Sequence, residues 1–146
     1  MLKLLEGKYM RGRKPSKNSE YYLPVNAYVL SIQYALNYDT WRAEISSLRN
    51  QSKAIAYDKD KVQSNSDYNP TEAAAIAIND LQIKLDKIKK TIDEVSPEGM
   101  DEFIKLAVCN GFTYTQLTTG RHHMPLNKNE FGKIKHHFYY NLYEKI

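Results

Sequence analysis

The residues from Ala74 to Val95 carry the strongest periodic pattern in the chain. Apolar side chains recur there at alternating four- and three-residue steps: Ala74, Ile78, Leu81, Leu85, Ile88, Ile92 and Val95. This is the spacing of a coiled-coil seam, because residues three and four apart share one face of a helix. Asn69 as a cap, Pro70 as first helical residue and Glu72 as capping-box partner mark the start. We expect a long helix that must bury this stripe against another helix.

A second long helix is predicted between Pro24 and Tyr57, a range with no glycine. Its apolar stripe follows the same spacing: Ala27, Leu30, Tyr34, Tyr38, Trp41, Ile45, Leu48, Ser52 and Ile55. A second strip, formed by Val29, Ile32 and Leu36, predicts that the first half of this helix touches two neighbours. The polar residues 58–69 are rich in turn formers and predict a loop.

Two long helices with matched stripes and one connecting loop bury those stripes most simply as an antiparallel hairpin over residues 24–95. The same stripe would pair equally well across a homodimer. The residues from 96 onward predict a separate unit of helix, short helix, turn and helix. Its boundaries are marked by Ser96 with Pro97, by Gly111, by Thr113 with Gln116, and by Asn127 with Glu130. The predicted fold class is therefore all-α, with a long hairpin followed by a three-helix domain at 96–146.

The last helix has two chemically different faces. At 100° per residue, one face is apolar: Phe131, Ile134, Phe138 and Leu142. The opposite face carries Asn129, Lys133, His136, His137 and Tyr140, with Lys128 at its flank. These side chains offer the donors that a DNA major groove requires, since lysine binds phosphate or guanine and asparagine binds adenine. This favours a helix-turn-helix interpretation, against the alternative of a solvated face that touches nothing.

The N-terminal segment 1–23 is basic and is predicted to be a flexible leader. Its stretch "RGRKP", Arg11 to Pro15, resembles an AT-hook core, in which arginines around a glycine lie in the narrow minor groove of A/T-rich DNA. Arg11, Arg13 and Lys14 are the candidate minor-groove contacts. The alternative is a solubilising linker. The net charge of +4 permits an acidic partner without requiring one.

Other function classes find little support. The single cysteine, Cys109, excludes an internal disulfide and a cysteine-rich zinc site, and indicates a cytoplasmic protein. Four histidines lie at His122, His123, His136 and His137, but neighbours on a helix point about 100° apart and no carboxylate cluster completes a metal site. No nucleophile arrangement emerges, no cofactor is implied, and no apolar run is long enough to cross a bilayer. We expect a protein that is not an enzyme and has no membrane partner.

The order of parts resembles the phage late-gene transcriptional regulators of the ArpU and RinA type. The resemblance rests on the "RGRKP" leader, the helix "YVLSIQYALNYDTW", the segment "NPTEAAAIAINDLQIKLDKIKKTIDEV" and a terminal unit after "SPE". In that family a C-terminal module similar to region 4 of sigma factors places its final helix in the major groove. By position, "TYTQL" matches the first helix of the DNA-reading pair, "HMPLNKNEF" the turn, and "GKIKHHFYYNLYEKI" the reading helix.

The resemblance implies a DNA-binding transcriptional regulator in a bacterial host cell, with double-stranded DNA and RNA polymerase as partners. The apolar strip left over on the hairpin would mediate self-association into a homodimer. Arg121 and His122 would contact a phosphate, beside the major-groove residues of the last helix. Two alternatives stay open. One is a phage small terminase-type subunit, which needs a ring of many copies. The other is an interaction protein built on the coiled-coil stripe, with no DNA binding.

Overall fold

The computed structural model describes residues 14–59 and 70–146, and within these ranges all regular structure is helical. The helices are α1 (Val25–Leu36), α2 (Tyr38–Lys59), α3 (Pro70–Val95), α4 (Asp101–Asn110), α5 (Tyr114–Thr118) and α6 (Lys128–Lys145). The predicted all-α class is confirmed. Across the described ranges, no helix combines the length and the apolar character needed to traverse a lipid bilayer. Of the predicted loop at 58–69, residues 60–69 lie outside the described residues. Residues 58 and 59 belong to α2, which ends at Lys59.

The helices form two compact units. One comprises residues 39–86, which hold α2 and the first part of α3. The other comprises 87–146 together with the chain up to Tyr38, and so includes α1. The sequence division into 1–23, 24–95 and 96–146 assigned α1 to the hairpin. In the structure α1 instead packs on α4 and α6.

The helix predicted to run from Pro24 to Tyr57 is divided at Asn37. The Asn37 side-chain amide donates to the Gln33 carbonyl at 2.8 Å. The Asn37 backbone N–H donates to the Tyr34 carbonyl at 3.2 Å, one residue closer than in an α-helix. Asparagine favours such breaks because its side chain competes for backbone partners. One amide side chain therefore accounts for the separation of α1 from α2.

Helix α1 is buried on two sides, as its second apolar strip predicted. The fully covered side chains span about 200° of the circumference at 100° per residue: Ala27, Tyr28, Val29, Ser31, Ile32 and Ala35. Leu30, assigned to the first stripe, is instead 45% exposed. The reason is that α4 and α6 both contact α1, which centres its buried sector away from Leu30.

The α3 stripe is buried within a single chain over most of its length. Leu81 and Leu85 are buried in the 39–86 unit, and Ile88, Ile92 and Val95 are buried in the other unit. Ala74 and Ile78 are half-buried. In the 39–86 unit, the Lys84 Nζ lies 5.1 Å from the centroid of the Trp41 ring, near the start of α2. The heptad spacing thus identified the buried side of α3 correctly.

The boundaries of the short helices follow local chemistry. α4 begins at Asp101 rather than at the predicted Ser96–Pro97 start, because Gly99 (φ 80°) and a turn from Pro97 O to Met100 N come first. It ends as predicted at Gly111, whose φ of 72° is readily reached only without a Cβ. The Thr113–Gln116 capping box is confirmed, with both reciprocal hydrogen bonds present.

Candidate nucleic-acid interface

The candidate interface begins with the cap of α6. The Glu130 backbone N–H donates to Asn127 Oδ1 at 2.8 Å, and Asn127 Nδ2 donates to the Glu130 carboxylate at 2.8 Å. Asn127 has the extended backbone of an N-cap residue. The start predicted from Asn127 and Glu130 is therefore confirmed. The cap fixes where Lys128 and Asn129 leave the first turn.

We expect Asn127→Ala to lower the free energy of unfolding by about 1 kcal/mol, because the first turn loses its side-chain acceptor. Urea denaturation followed by circular dichroism measures this change. Asn127→Ser keeps a capping oxygen and should retain most of the stability, while Asn129→Ala, at an exposed site, is the matched control. Equal losses for Asn127→Ala and Asn129→Ala would contradict the capping role.

The inner face of α6 is largely the predicted one. Phe131, Phe138 and Leu142 are buried, and Ile134 is half-buried. Tyr139 is also buried, which the sequence analysis missed, and it meets Tyr28 of α1 edge-on at 5.3 Å between ring centroids. Burial raises the pKa of Tyr139, and it raises the pKa of Tyr28 to about 12. The burial of both rings and their edge-on contact show that α1 packs against a flank of α6.

The N-terminal half of the opposite face is exposed. Lys128, Asn129 and Lys133 all lie at the surface within the first two turns of α6. In the preceding loop Arg121 is exposed, and so is His123, which adopts a positive φ of 48°. His122 is half-buried and lies edge-on against Phe112, with ring centroids 5.5 Å apart. Lys128 and Lys133 are thus presented in the first two turns of α6, and Arg121 is exposed in the loop that precedes this helix.

The C-terminal half of that face is partly covered by aromatic side chains from residues 21–28 of the same chain. The His137 ring stacks on Tyr21, with centroids 4.3 Å apart and planes at 13°. The ring centroid of Tyr140 lies 6.0 Å from that of Tyr21, and the ring centroid of His136 lies 6.3 Å from that of Tyr28. His136, His137 and Tyr140, predicted as open groove contacts, are each half-buried. Tyr21 and Tyr28 partly cover this half, which was predicted to be open, and the DNA contacts predicted for these three residues stay predictions.

The last ten residues of the predicted leader, 14–23, form turns and include buried side chains, while the flexibility assigned to the leader stays a prediction. Pro15 and Leu23 are buried, and Lys14 is half-buried with its Nζ 5.6 Å from the Tyr22 ring centroid. Two successive turns shape this segment, since Ser19 N donates to Ser16 O and Tyr22 N donates to Ser19 O. Arg11 and Arg13 lie outside the described residues. Only Lys14, of the three predicted minor-groove contacts, can be placed.

The remaining cations of α6 serve structure. Lys135 lies half-buried with its Nζ 5.5 Å from the Phe131 ring centroid, and burial lowers its pKa. Lys145 Nζ pairs with a Glu94 carboxylate oxygen at 2.8 Å, and this hydrogen bond lowers the pKa of Glu94. In the segments that the structure describes, no group of three His, Cys, Asp or Glu side chains is arranged to hold a metal ion.

The aromatic contacts of Tyr21 and Tyr28 with α6 were not predicted from the sequence. Both tyrosines lie outside or beside the periodic stripes, so the spacing of apolar residues gave no signal for their partners. Tyr21 and Tyr28 lie seven residues apart, which predicts that they share a helix face and does not predict contacts with α6. Tyr21 in fact precedes α1.

Comparisons of the chain with protein-family models, with curated proteins and with solved structures find no match.

Proposed function

We propose that the chain binds double-stranded DNA through the N-terminal half of α6 and the loop before it. The observation that carries the proposal is the joint exposure of Lys128, Asn129 and Lys133 in the first two turns of a helix whose other side is core. Helix-turn-helix proteins use the same part of a reading helix, since its N-terminal residues reach base edges.

The chemistry of these side chains suits a phosphate-dominated interface. Lys128, Lys133 and Arg121 supply charge for the DNA backbone, and the Asn129 amide is able to pair with an adenine edge. Lysine binds as a point charge, so this set supports affinity more strongly than base discrimination. With His136, His137 and Tyr140 engaged by the chain itself, the proposed contact area is smaller than the sequence analysis expected.

The architecture is proposed to consist of a helical hairpin and a helix-turn-helix unit. The Lys84–Trp41 contact supports the hairpin, because it joins the start of α2 to the second half of α3, as an antiparallel pair requires. Tyr114 supports the helix-turn-helix, because its ring lies 5.6 Å from Phe131 and its hydroxyl donates to the Leu126 carbonyl at 2.9 Å. Regulation of phage or prophage late genes, with RNA polymerase as a partner, rests on the family resemblance alone.

We expect Lys133→Ala to weaken binding to duplex DNA and to lower the slope of log affinity against log salt by about one unit. The reason is that each phosphate neutralised by the protein releases condensed counterions, and a lost contact releases fewer. Fluorescence anisotropy with a labelled duplex, titrated at several salt concentrations, measures both quantities.

Lys89→Ala is the matched control, because Lys89 is an exposed lysine on α3 and carries the same charge. It should leave the salt slope near the wild-type value, apart from the small effect of net charge. If Lys133→Ala and Lys89→Ala have equal affinity and slope, α6 does not form the interface. If the wild-type protein shows no shift with DNA at low salt, the interaction-protein alternative is favoured.

A second candidate function is self-association through α3. Ile76 and Ile83 lie seven residues apart and are 60% and 45% exposed, so both project from the same side of the helix. Analytical ultracentrifugation of the wild type and of Ile76→Lys tests this role. A dimer that dissociates in Ile76→Lys supports the proposed regulator, whereas a ring of many copies supports a terminase-type subunit. A wild-type monomer at high concentration contradicts self-association through α3 and the terminase-type ring, and leaves the DNA-binding proposal standing.

A further inference from the structure

The segment 14–23 is a folded strap rather than a tail. Its two turns are closed by backbone hydrogen bonds of 3.0 Å (Ser19 N to Ser16 O) and 3.2 Å (Tyr22 N to Ser19 O). A third bond, from Tyr21 N to Ser19 Oγ at 3.2 Å, braces the second turn. Pro15 and Leu23 are buried at its two ends. Lys17, which is exposed, lies within the first of these turns.

Tyr21 is the side chain by which the strap reaches the outer face of α6. Its ring is nearly parallel to that of His137 at 4.3 Å, and Tyr140 completes the contact at 6.0 Å. His137 is held from the other side by Asn141 Nδ2, 3.1 Å from His137 Nε2. Stacked rings at such distances contribute binding energy beyond the area they bury. The stack is thus a defined joint between strap and helix.

The joint lies directly beside the proposed DNA contacts. Lys133 and His137 are four residues apart on α6, so their backbones are separated by about 6 Å along the helix axis. Lys14 and Lys17 belong to the strap that this joint anchors. Lys14 and Lys17 are therefore tethered to the helix that carries Lys133.

We propose that the Tyr21–His137 stack is a positioning contact that holds Lys14 and Lys17 of the strap beside α6, so that the strap and α6 engage one DNA duplex together. This inference rests on the proposed function and adds a second binding element to it. Tethering raises the effective concentration of the second element, because its binding becomes intramolecular. A duplex whose major groove receives α6 would meet Lys14 and Lys17 along its adjacent phosphate backbone.

The test is a double-mutant cycle in DNA affinity. It compares wild type, Tyr21→Ala, a variant with both strap lysines neutralised (Lys14→Ala with Lys17→Ala), and the combination of all three changes. We expect Tyr21→Ala alone to weaken binding about three- to tenfold, and to reduce the salt slope by about one to two units. In the neutralised background the same change should have an effect below about twofold.

Two further variants separate stacking from unrelated effects of losing an aromatic ring. Tyr21→Phe retains the ring and should retain affinity. Tyr143→Ala removes an exposed tyrosine of α6 and should also leave affinity unchanged. The stack itself is read without DNA, because the ring current of Tyr21 shifts the His137 imidazole proton resonances. That shift should vanish in Tyr21→Ala and persist in Tyr21→Phe.

The outcomes are distinguishable. If wild type binds DNA and Tyr21→Ala binds equally well, the positioning role is overturned and the proposed function stands. If Tyr21→Ala binds more tightly, the strap masks the interface, which also overturns the positioning role. An equal effect of Tyr21→Ala in both backgrounds shows a role unrelated to Lys14 and Lys17, and overturns the positioning role as well. If wild type does not bind, the proposed function and this inference fall together.

Discussion

Phe138→Ala is expected to lower the free energy of unfolding by about 3–5 kcal/mol, which is most of the stability of many small domains. The Phe138 side chain is 0% exposed and meets Tyr139 at 5.3 Å between ring centroids. The substitution removes buried apolar surface and leaves a cavity that the surrounding helices close only in part. Urea or thermal denaturation followed by circular dichroism measures the loss.

The matched control is Tyr143→Ala, which removes an aromatic ring from the same helix at a site that is 42% exposed. It should cost less than about 1 kcal/mol, because surface substitutions rarely cost more. Phe138→Leu fills most of the cavity and should fall between the two. Similar losses for Phe138→Ala and Tyr143→Ala would show that α6 does not bury the face on which the whole interface assignment depends.

The second large effect is a loss of stability at alkaline pH. Burial raises the pKa of Tyr28 from 10.0 to about 12. Below pH 10 the hydroxyl is protonated in both the folded and unfolded states, so the full contribution is present. Between about pH 10 and 12 the unfolded state loses this proton while the folded state retains it, so stability falls as pH rises. A difference of two pKa units corresponds to about 2–3 kcal/mol.

Tyr28→Phe isolates this contribution from other groups that titrate at high pH, including the lysines. Denaturation at about pH 8 and at about pH 11.5 should show a smaller loss of stability in Tyr28→Phe than in wild type. Tyr139→Phe should behave in the same direction, since burial also raises the pKa of Tyr139. An identical pH dependence in wild type and Tyr28→Phe would mean that Tyr28 is open to solvent, and that α1 does not cover α6.

Local signals in the sequence predicted much of the fold. The heptad spacing identified the buried residues from Leu81 to Val95, because periodicity reports which side of a helix meets a partner. Capping chemistry placed the starts of α5 and α6, because those hydrogen bonds form within four residues. The end of α4 at Gly111 followed from the backbone freedom of glycine.

Long-range contacts could not be predicted in the same way. The sequence separates Tyr21 from His137 by more than a hundred residues, and neither lies in an apolar stripe. The position of α1 against α4 and α6 was also missed, because its apolar residues fit a hairpin as well as they fit a three-helix core. For the candidate site, helical geometry identified which side of α6 is polar. Helical geometry did not show that Tyr21 and Tyr28 partly cover the C-terminal half of that side.

The position of Cys109 gives the molecule a built-in probe of its own opening. It is the one cysteine of the sequence, and its side chain is 3% exposed within the apolar face of α4. A thiol reagent can modify it only when the surrounding helices part, so the labelling rate measures how often they do. Slower labelling in the presence of a duplex would reveal, without any mutation or attached dye, that a ligand tightens this part of the protein.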